Sequence, residues 1–280
     1  MQNLRSLRGD SLFYLTRGEV DFAIFPSNRL LVRREQGAQV HGIAAINHRG
    51  MEVIQTVKGK GITRPRDLSD KRIALNPTPR GLAMVRHVIE KDGGDPSRFK
   101  VVDSGTRELT PEDIANNVAD ATFGSYWAWE VLFESAIPHD ERIIWPVDKI
   151  GAPPYHSYLL GSNLQFMQKH PDAVKAFLAA TQKGYLAVIK NPKAVAPIYE
   201  DILPYFPRTI IERSLPLIAK SWTHDGTWGI QRKELLEPYA RWLKANGIVS
   251  DSGIWKEAID NTYLPRDSQV LVASKSNRSG

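Results

Sequence analysis

The chain of 280 residues contains no cysteine. That absence excludes disulfides, thiolate metal sites and a cysteine nucleophile together. No stretch approaches the roughly 18 consecutive apolar residues that would span a bilayer. Basic runs are also missing: Lys and Arg outnumber Asp and Glu by 37 to 31, but the excess is spread along the chain. Without a basic stripe, nucleic acid is not an expected partner. The start, Met1 to Arg8, has basic residues with no apolar core behind them, so no signal peptide is read there. The seven His residues form no His-Glu-x-x-His pattern, so neither a metal nor any other cofactor is expected. A Gly-x-Ser-x-Gly elbow and a Gly-x-x-x-x-Gly-Lys phosphate loop are absent too. What is present is 42% hydrophobic and 24% charged residues, the proportions of a soluble globular protein. The length suits two lobes or one large α/β domain.

The order of apolar segments predicts an α/β fold. Residues 10 to 18 read as a short helix closed by Gly18, and the unbroken run Glu19 to Phe25 as a buried strand. A helix follows through Leu30, Leu31 and Val32 to Gly37, and Val40 to Ile46 is another strand ending on Asn47-His48-Arg49. The pattern recurs at Arg72 to Leu75, followed by a helix carrying Leu82, Val85, Val88 and Ile89. Further strands are expected at Phe99 to Val102, Ala121 to Phe123 and Arg142 to Trp145, with a helix starting at Pro111. Beyond Tyr158 to Leu160 the chain reads as almost wholly helical, with Pro171 to Ile189 and Lys233 to Asn246 the clearest helices. This order suits two lobes with a ligand cleft between them: a discontinuous lobe 1 at 1–68 and 155–280, a lobe 2 at 69–154, and a flexible polar tail at 268–280.

In open α/β sheets ligands sit beyond the carboxyl ends of strands, where polar tips and helix N-termini offer free donors. The candidate ligand residues are therefore the tips: Ser27 and Asn28 after Pro26, Asn47 and His48, and Asn76, Thr78 and Arg80 in the loop before a helix. Thr78 can cap that helix and Arg80 can pair with a carboxylate or phosphate, although both are ordinary residues for such positions. Ser125, Tyr126 and Trp127 follow Gly124 at a strand end and put rings where a cleft would open. Packing of Trp127 in a lobe core is the alternative. Tyr155 and His156 follow Pro153-Pro154 where the chain returns to lobe 1; they point either into a cleft or into a turn held by the prolines. Trp222 to Gly229 contains His224 and two tryptophans and reads as an exposed turn, its tryptophans packed on the C-terminal helices, with ligand contact the alternative.

Several segments together resemble the thiamine-pyrimidine (NMT1/THI5-like) binding and synthesis family, within the type 2 periplasmic solute-binding proteins of ABC transporters. They are Arg17 to Ala23, Gly61 to Ala74, Ala119-Asp120-Ala121, His170 to Leu178 and the Trp242 to Gly247 helix end. The resemblance implies a two-lobed type II periplasmic-binding-protein-like fold whose strand-tip loops grip an aromatic heterocycle. An ABC permease is the implied partner, and the periplasm or cell surface the implied location. It also implies that the family's usual N-terminal strand and helix are lacking here. The pyrimidine-synthesising members use a cofactor-holding lysine and a donor histidine, and these positions fall on Phe25 and Arg29. Their cysteine-rich stretch falls on Ala152 to Ser157, where this chain has Pro153, Pro154 and Tyr155. The glutamate that recognises the aminopyrimidine in transport members falls near Tyr126.

The resulting expectation is a non-enzymatic binder of a small aromatic or heterocyclic solute. Its competitors are an enzyme of the same fold, a lyase or decarboxylase with His156 or His48 as acid or base, and a cytoplasmic ligand sensor.

Overall fold

The computed structural model describes residues 10–105, 109–126 and 135–267, with the backbone alone for 125 and 126. Within it the chain forms two compact units. Unit 1 comprises Met1–Arg49, Pro154–Ala196 and Ile218–Gly280; unit 2 comprises Gly50–Pro153 and Pro197–Leu217.

Unit 1 opens with α1 (Ser11–Thr16), capped by the Asp10 carboxylate, which accepts from the Phe13 amide. Its sheet consists of β1 (Phe22–Pro26), β2 (Val40–Ala45) and β8 (Tyr158–Asn163), with β8 in the middle and antiparallel to both neighbours. Helix α2 (Ser27–Glu35) joins β1 to β2 and buries Leu30 and Leu31. At the centre of the sheet Gly42 faces Gly161. A Cβ on Gly161 would run into the Phe25 ring and lie 2.6 Å from the His41 carbonyl oxygen, so the bare backbone is what lets Phe25 cover the strand.

The C-terminal part of unit 1 is helical as expected, with α5 (Leu164–Lys169), α6 (Pro171–Lys190), α9 (Lys233–Ala245) and α10 (Trp255–Ala258). Helix α9 buries Leu236, Tyr239, Ala240 and Leu243, the spacing of one apolar helical face. The segment read as an exposed turn is instead a hairpin, β9 (Thr223–His224) with β10 (Thr227–Trp228). Asp225 and Gly226 both have positive φ, 52° and 76°, the geometry that an Asp-Gly pair supplies for a two-residue hairpin. Its tryptophans are core residues: Trp222 meets the Tyr185 ring edge-on at 4.8 Å and Trp228 stacks on it at 5.4 Å.

Unit 2 is built on a five-stranded mixed sheet of order β5-β4-β6-β3-β7, from β3 (Glu52–Val57), β4 (Arg72–Leu75), β5 (Lys100–Asp103), β6 (Ala121–Tyr126) and β7 (Arg142–Pro146). Strand β4 runs parallel to β5 and β6, while β3 is antiparallel to β6 and β7. Strand β3 is not among the expected strands. Its Gln55 and Thr56 break the apolar run, yet both are buried, and Thr56 donates its hydroxyl proton to the Asp120 carbonyl at 2.7 Å. Helices α3 (Pro79–Lys91) and α4 (Pro111–Ala115) flank the sheet. The first buries Met84, Val85, Val88 and Ile89. The second carries a reciprocal cap between Thr110 and Asp113. Helix α7 (Pro192–Ile202) passes from one unit to the other, and α8 (Arg208–Ala219) leads back.

Candidate functional site

The most concentrated polar chemistry lies in unit 1, where three chain segments meet. Strand β2 delivers Asn47 and His48, the run Pro154–Ser157 leads into β8, and Ser221–Arg232 carries the hairpin to the start of α9. The His48 amide donates to the Ser221 carbonyl at 2.7 Å. The Asn47 side-chain amide donates to the Ser221 hydroxyl oxygen at 2.8 Å, and that hydroxyl donates to the Ile218 carbonyl at 2.7 Å. These bonds register the β2 tip on the C-terminal segment.

His156 ties the three segments together. Its side chain is fully buried, with Nδ1 2.8 Å from the Asn47 carbonyl oxygen and Nε2 2.9 Å from the Arg232 amide nitrogen. A carbonyl only accepts and an amide only donates, so the ring proton sits on Nδ1 and Nε2 is the acceptor. Both nitrogens are thereby satisfied by backbone. Burial pushes the imidazole down to about 4 against the opposing bond to Asn47, and the nearby Arg232 and His224 add to the lowering. Ser27, first residue of α2, joins the same network. Its hydroxyl donates to the His156 carbonyl at 2.5 Å and its amide to the Ser157 carbonyl at 3.2 Å.

His48 is the exception in this network. Its ring packs edge-on against that of His156, centroids 5.2 Å apart, and lies 6.4 Å from that of His224. Only 8% of the residue is exposed, and neither ring nitrogen has a hydrogen-bond partner among the described residues. Burial first, then the neighbouring His156, Arg232 and His224, lowers its pKa to about 2, so the ring is a neutral imidazole with an unused donor and an unused acceptor. The Arg232 Nε is likewise buried without a partner. Arg232 is also the N-cap residue of α9, and no side chain caps that helix.

The other expected site residues fall elsewhere. Asn28 is half-buried in the first turn of α2. Tyr155 is buried and stacked on Tyr239 at 4.6 Å, and Tyr239 in turn on Trp242 at 5.9 Å. In unit 2, Asn76 is exposed, and its carbonyl accepts from the Thr78 amide. Thr78 caps α3 by accepting from the Gly81 amide at 3.1 Å. Arg80 forms a two-pronged ion pair with Glu52 of β3, its Nη2 donating to Oε2 at 2.7 Å. The side chains of Ser125 and Tyr126, and all of Trp127, lie outside the described residues. Unit 1 thus brings together Ser27, Asn47, His48 and His156, while Asn76, Thr78 and Arg80 belong to unit 2. Sequence reasoning missed Ser221 and Arg232, and set His224 in an exposed turn. The Asp225-Gly226 hairpin signal was the available clue, because a tight hairpin there carries His224 and the α9 start back to the sheet. Among the described residues, no group of three or more His, Asp or Glu is placed to hold a metal ion.

A model of the family described as NMT1/THI5-like matches residues 6–195. The formylaminopyrimidine-binding protein of Halalkalibacterium halodurans is 23% identical over 257 residues, covering 90% of this chain and 77% of that protein. The 4-amino-5-hydroxymethyl-2-methylpyrimidine phosphate synthase of Schizosaccharomyces pombe is 25% identical over 183 residues, 62% of this chain and 52% of the synthase. Among solved structures, the periplasmic aliphatic sulphonate binding protein SsuA from Escherichia coli superposes with a TM-score of 0.68 at 12% identity, over 89% of this chain and 78% of that one. That likeness shows the fold, a mixed α/β periplasmic-binding-protein fold.

Proposed function

The chain belongs to the NMT1/THI5-like family, and on that premise we propose that it is the solute-binding component of an ABC importer, acting outside the cytoplasmic membrane on a small nitrogen heterocycle of the aminopyrimidine kind. Similarity to a formylaminopyrimidine-binding protein across 90% of this chain supports the ligand class, and a permease is the partner such a component serves. The observation that carries the binding reading is His48: a nine-tenths buried ring at a strand tip with both nitrogens unmet. An unmet buried polar group costs on the order of 1–3 kcal/mol, which a ligand that supplies the bond recovers.

The same geometry disfavours an enzyme built on these histidines. A general acid or base works best with a pKa near the operating pH, whereas His48 is lowered to about 2 and His156 to about 4. His156 also has both nitrogens engaged by backbone and no freedom to shuttle a proton. The synthase relative keeps the enzymatic reading in view, but Phe25 and Arg29, where the family resemblance puts the synthesising members' cofactor lysine and donor histidine, cannot substitute for them.

A thermal-shift screen against formylaminopyrimidine, thiamine and simple aromatic acids tests the proposal. A ligand at about 100 times its dissociation constant adds roughly 2.7 kcal/mol and raises the melting midpoint by several degrees. A protein that melts cooperatively and shifts with none of them would sink the reading.

A further inference from the structure

Resting on that reading of the unit 1 site, we infer that the ligand carries an anionic oxygen group, a carboxylate, sulfonate or phosphate, and that the site holds it with His48 and the Arg232 guanidinium at the start of α9.

Three separate features of the structure converge on an anion. His48 offers a buried ring N–H with nothing to receive it, and its ring touches that of His156, the group that binds the Arg232 amide. Arg232 adds a second unmet donor, a buried Nε–H on a permanently charged group. Burial lowers the pKa of this guanidinium, with Glu234 and Asp225 opposing, so the cation is short of solvent. The third feature is α9, a 13-residue helix whose N-terminus has no side-chain cap, although Glu234 in its first turn offsets part of the positive end of its dipole.

The charges around the site are mixed. From the hairpin, His224 approaches the His48 ring and its Nε2 lies 3.3 Å from an Asp225 carboxylate oxygen, both side chains about half exposed. From β8's approach comes His156, and from α9 come Arg232 and, facing Arg232, Glu234. No carboxylate among the described residues accepts a hydrogen bond from His48 or from the Arg232 Nε. A neutral carbonyl oxygen or ring nitrogen can also accept from these donors but brings no charge to the guanidinium. An anionic oxygen can accept from both, and charge-assisted bonds of this kind are about twice as strong as neutral ones.

The chemistry is tested with matched probes differing in charge: benzoate against benzamide and benzenesulfonate against benzenesulfonamide, with inorganic phosphate as a ringless anion. Calorimetric titration is paired with NMR of the full chain labelled with 15N-histidine. The expected result is binding of at least one anion, with a moved His48 ring signal, a His156 signal that keeps its Nδ1-protonated pattern, and the matched amide weaker by tenfold or more. Phosphate binding without the ring-bearing anions would assign the group to a phosphate; benzoate or benzenesulfonate binding assigns it to the corresponding acid. Arg232→Gln should lose about tenfold to a hundredfold of anion affinity. That change leaves the Arg232 backbone bond to His156 intact, so the variant should fold. His48→Gln, which keeps a donor, should lose less than His48→Ala. Amides binding as tightly as anions, no anion binding, or unchanged anion affinity in Arg232→Gln would each overturn the inference. If formylaminopyrimidine binds while every anion fails, this inference falls and the importer reading survives. If anions bind while neutral aminopyrimidines do not, the anion site stands and the aminopyrimidine class falls.

Discussion

At the scale of single residues, His156 is a histidine used as a structural clasp, and that use has a pH signature. In the unfolded chain a histidine titrates near 6.5, whereas the folded protein holds His156 near 4 and His48 near 2. Both folded values are depressed, so between 6.5 and about 4 the unfolded state binds more protons than the folded one. The stability that each group contributes is fully present above 6.5 and is lost progressively as the pH falls, each adding a slope of about 1.4 kcal/mol per pH unit. The carboxylates lowered by ion pairs, Asp92 and Asp120, start from an ordinary value of 3.8 and enter only at lower pH. Urea denaturation between pH 7 and 5 therefore isolates the histidines, and a flat profile over that window would show that the two rings are not buried and neutral. His156→Phe removes one of three histidine titrations, since burial lowers His41 as well, and leaves the Asn47 carbonyl and Arg232 amide unmet in the interior. It should lower stability at pH 7.5 by about 2–5 kcal/mol and reduce the acid slope without abolishing it.

At the scale of elements, the unit 1 sheet depends on two facing glycines. Gly161→Ala places a methyl group against the Phe25 ring and the His41 carbonyl, with β1 on one side and β2 on the other. Overpacking of this kind costs about 1–3 kcal/mol. Gly184→Ala, on α6 with nothing within 4 Å of the added methyl, should instead be neutral or stabilising. Equal denaturation midpoints for the two variants would contradict the packing described here. Most strands and long helices were legible because their apolar residues repeat at the period of the element: β2, β4 and α3 begin and end within about two residues of where the pattern puts them. Strand β3 was not legible, because its polar Gln55 and Thr56 are buried by partners distant in sequence. The β9–β10 hairpin was hidden for another reason. Two-residue strands are too short to show a period, and only Asp225-Gly226 marks the turn. The candidate site was half legible on the same grounds. Polar strand tips named Asn47, His48 and Ser27, but the sequence could not show that His156 and Ser27 spend their polar atoms internally while His48 does not, because that depends on which backbone groups the fold brings to each ring.

At the scale of the whole molecule, the balance between binding and catalysis turns on what 280 residues without a cysteine have to offer. Covalent catalysis by a thiolate is closed to the chain. Its two buried imidazoles are held below the range in which they could exchange protons at neutral pH. In unit 2, Arg80, a cation near a strand tip, is already paired with Glu52. The described residues of the unit 1 site offer preformed hydrogen-bonding groups with unfilled capacity, which suit equilibrium binding and release. A bound ligand should accordingly leave the protein unchanged. Incubation of stoichiometric protein with formylaminopyrimidine, or with whichever probe shifts its melting midpoint, should return the compound intact by mass spectrometry after many hours. The same sample should show a stabilisation that grows as RT ln(1 + [L]/Kd) with free ligand. Consumption of the compound, with the stabilisation decaying as it disappears, would move the protein to the enzymatic branch of its family and require catalytic groups other than His48 and His156.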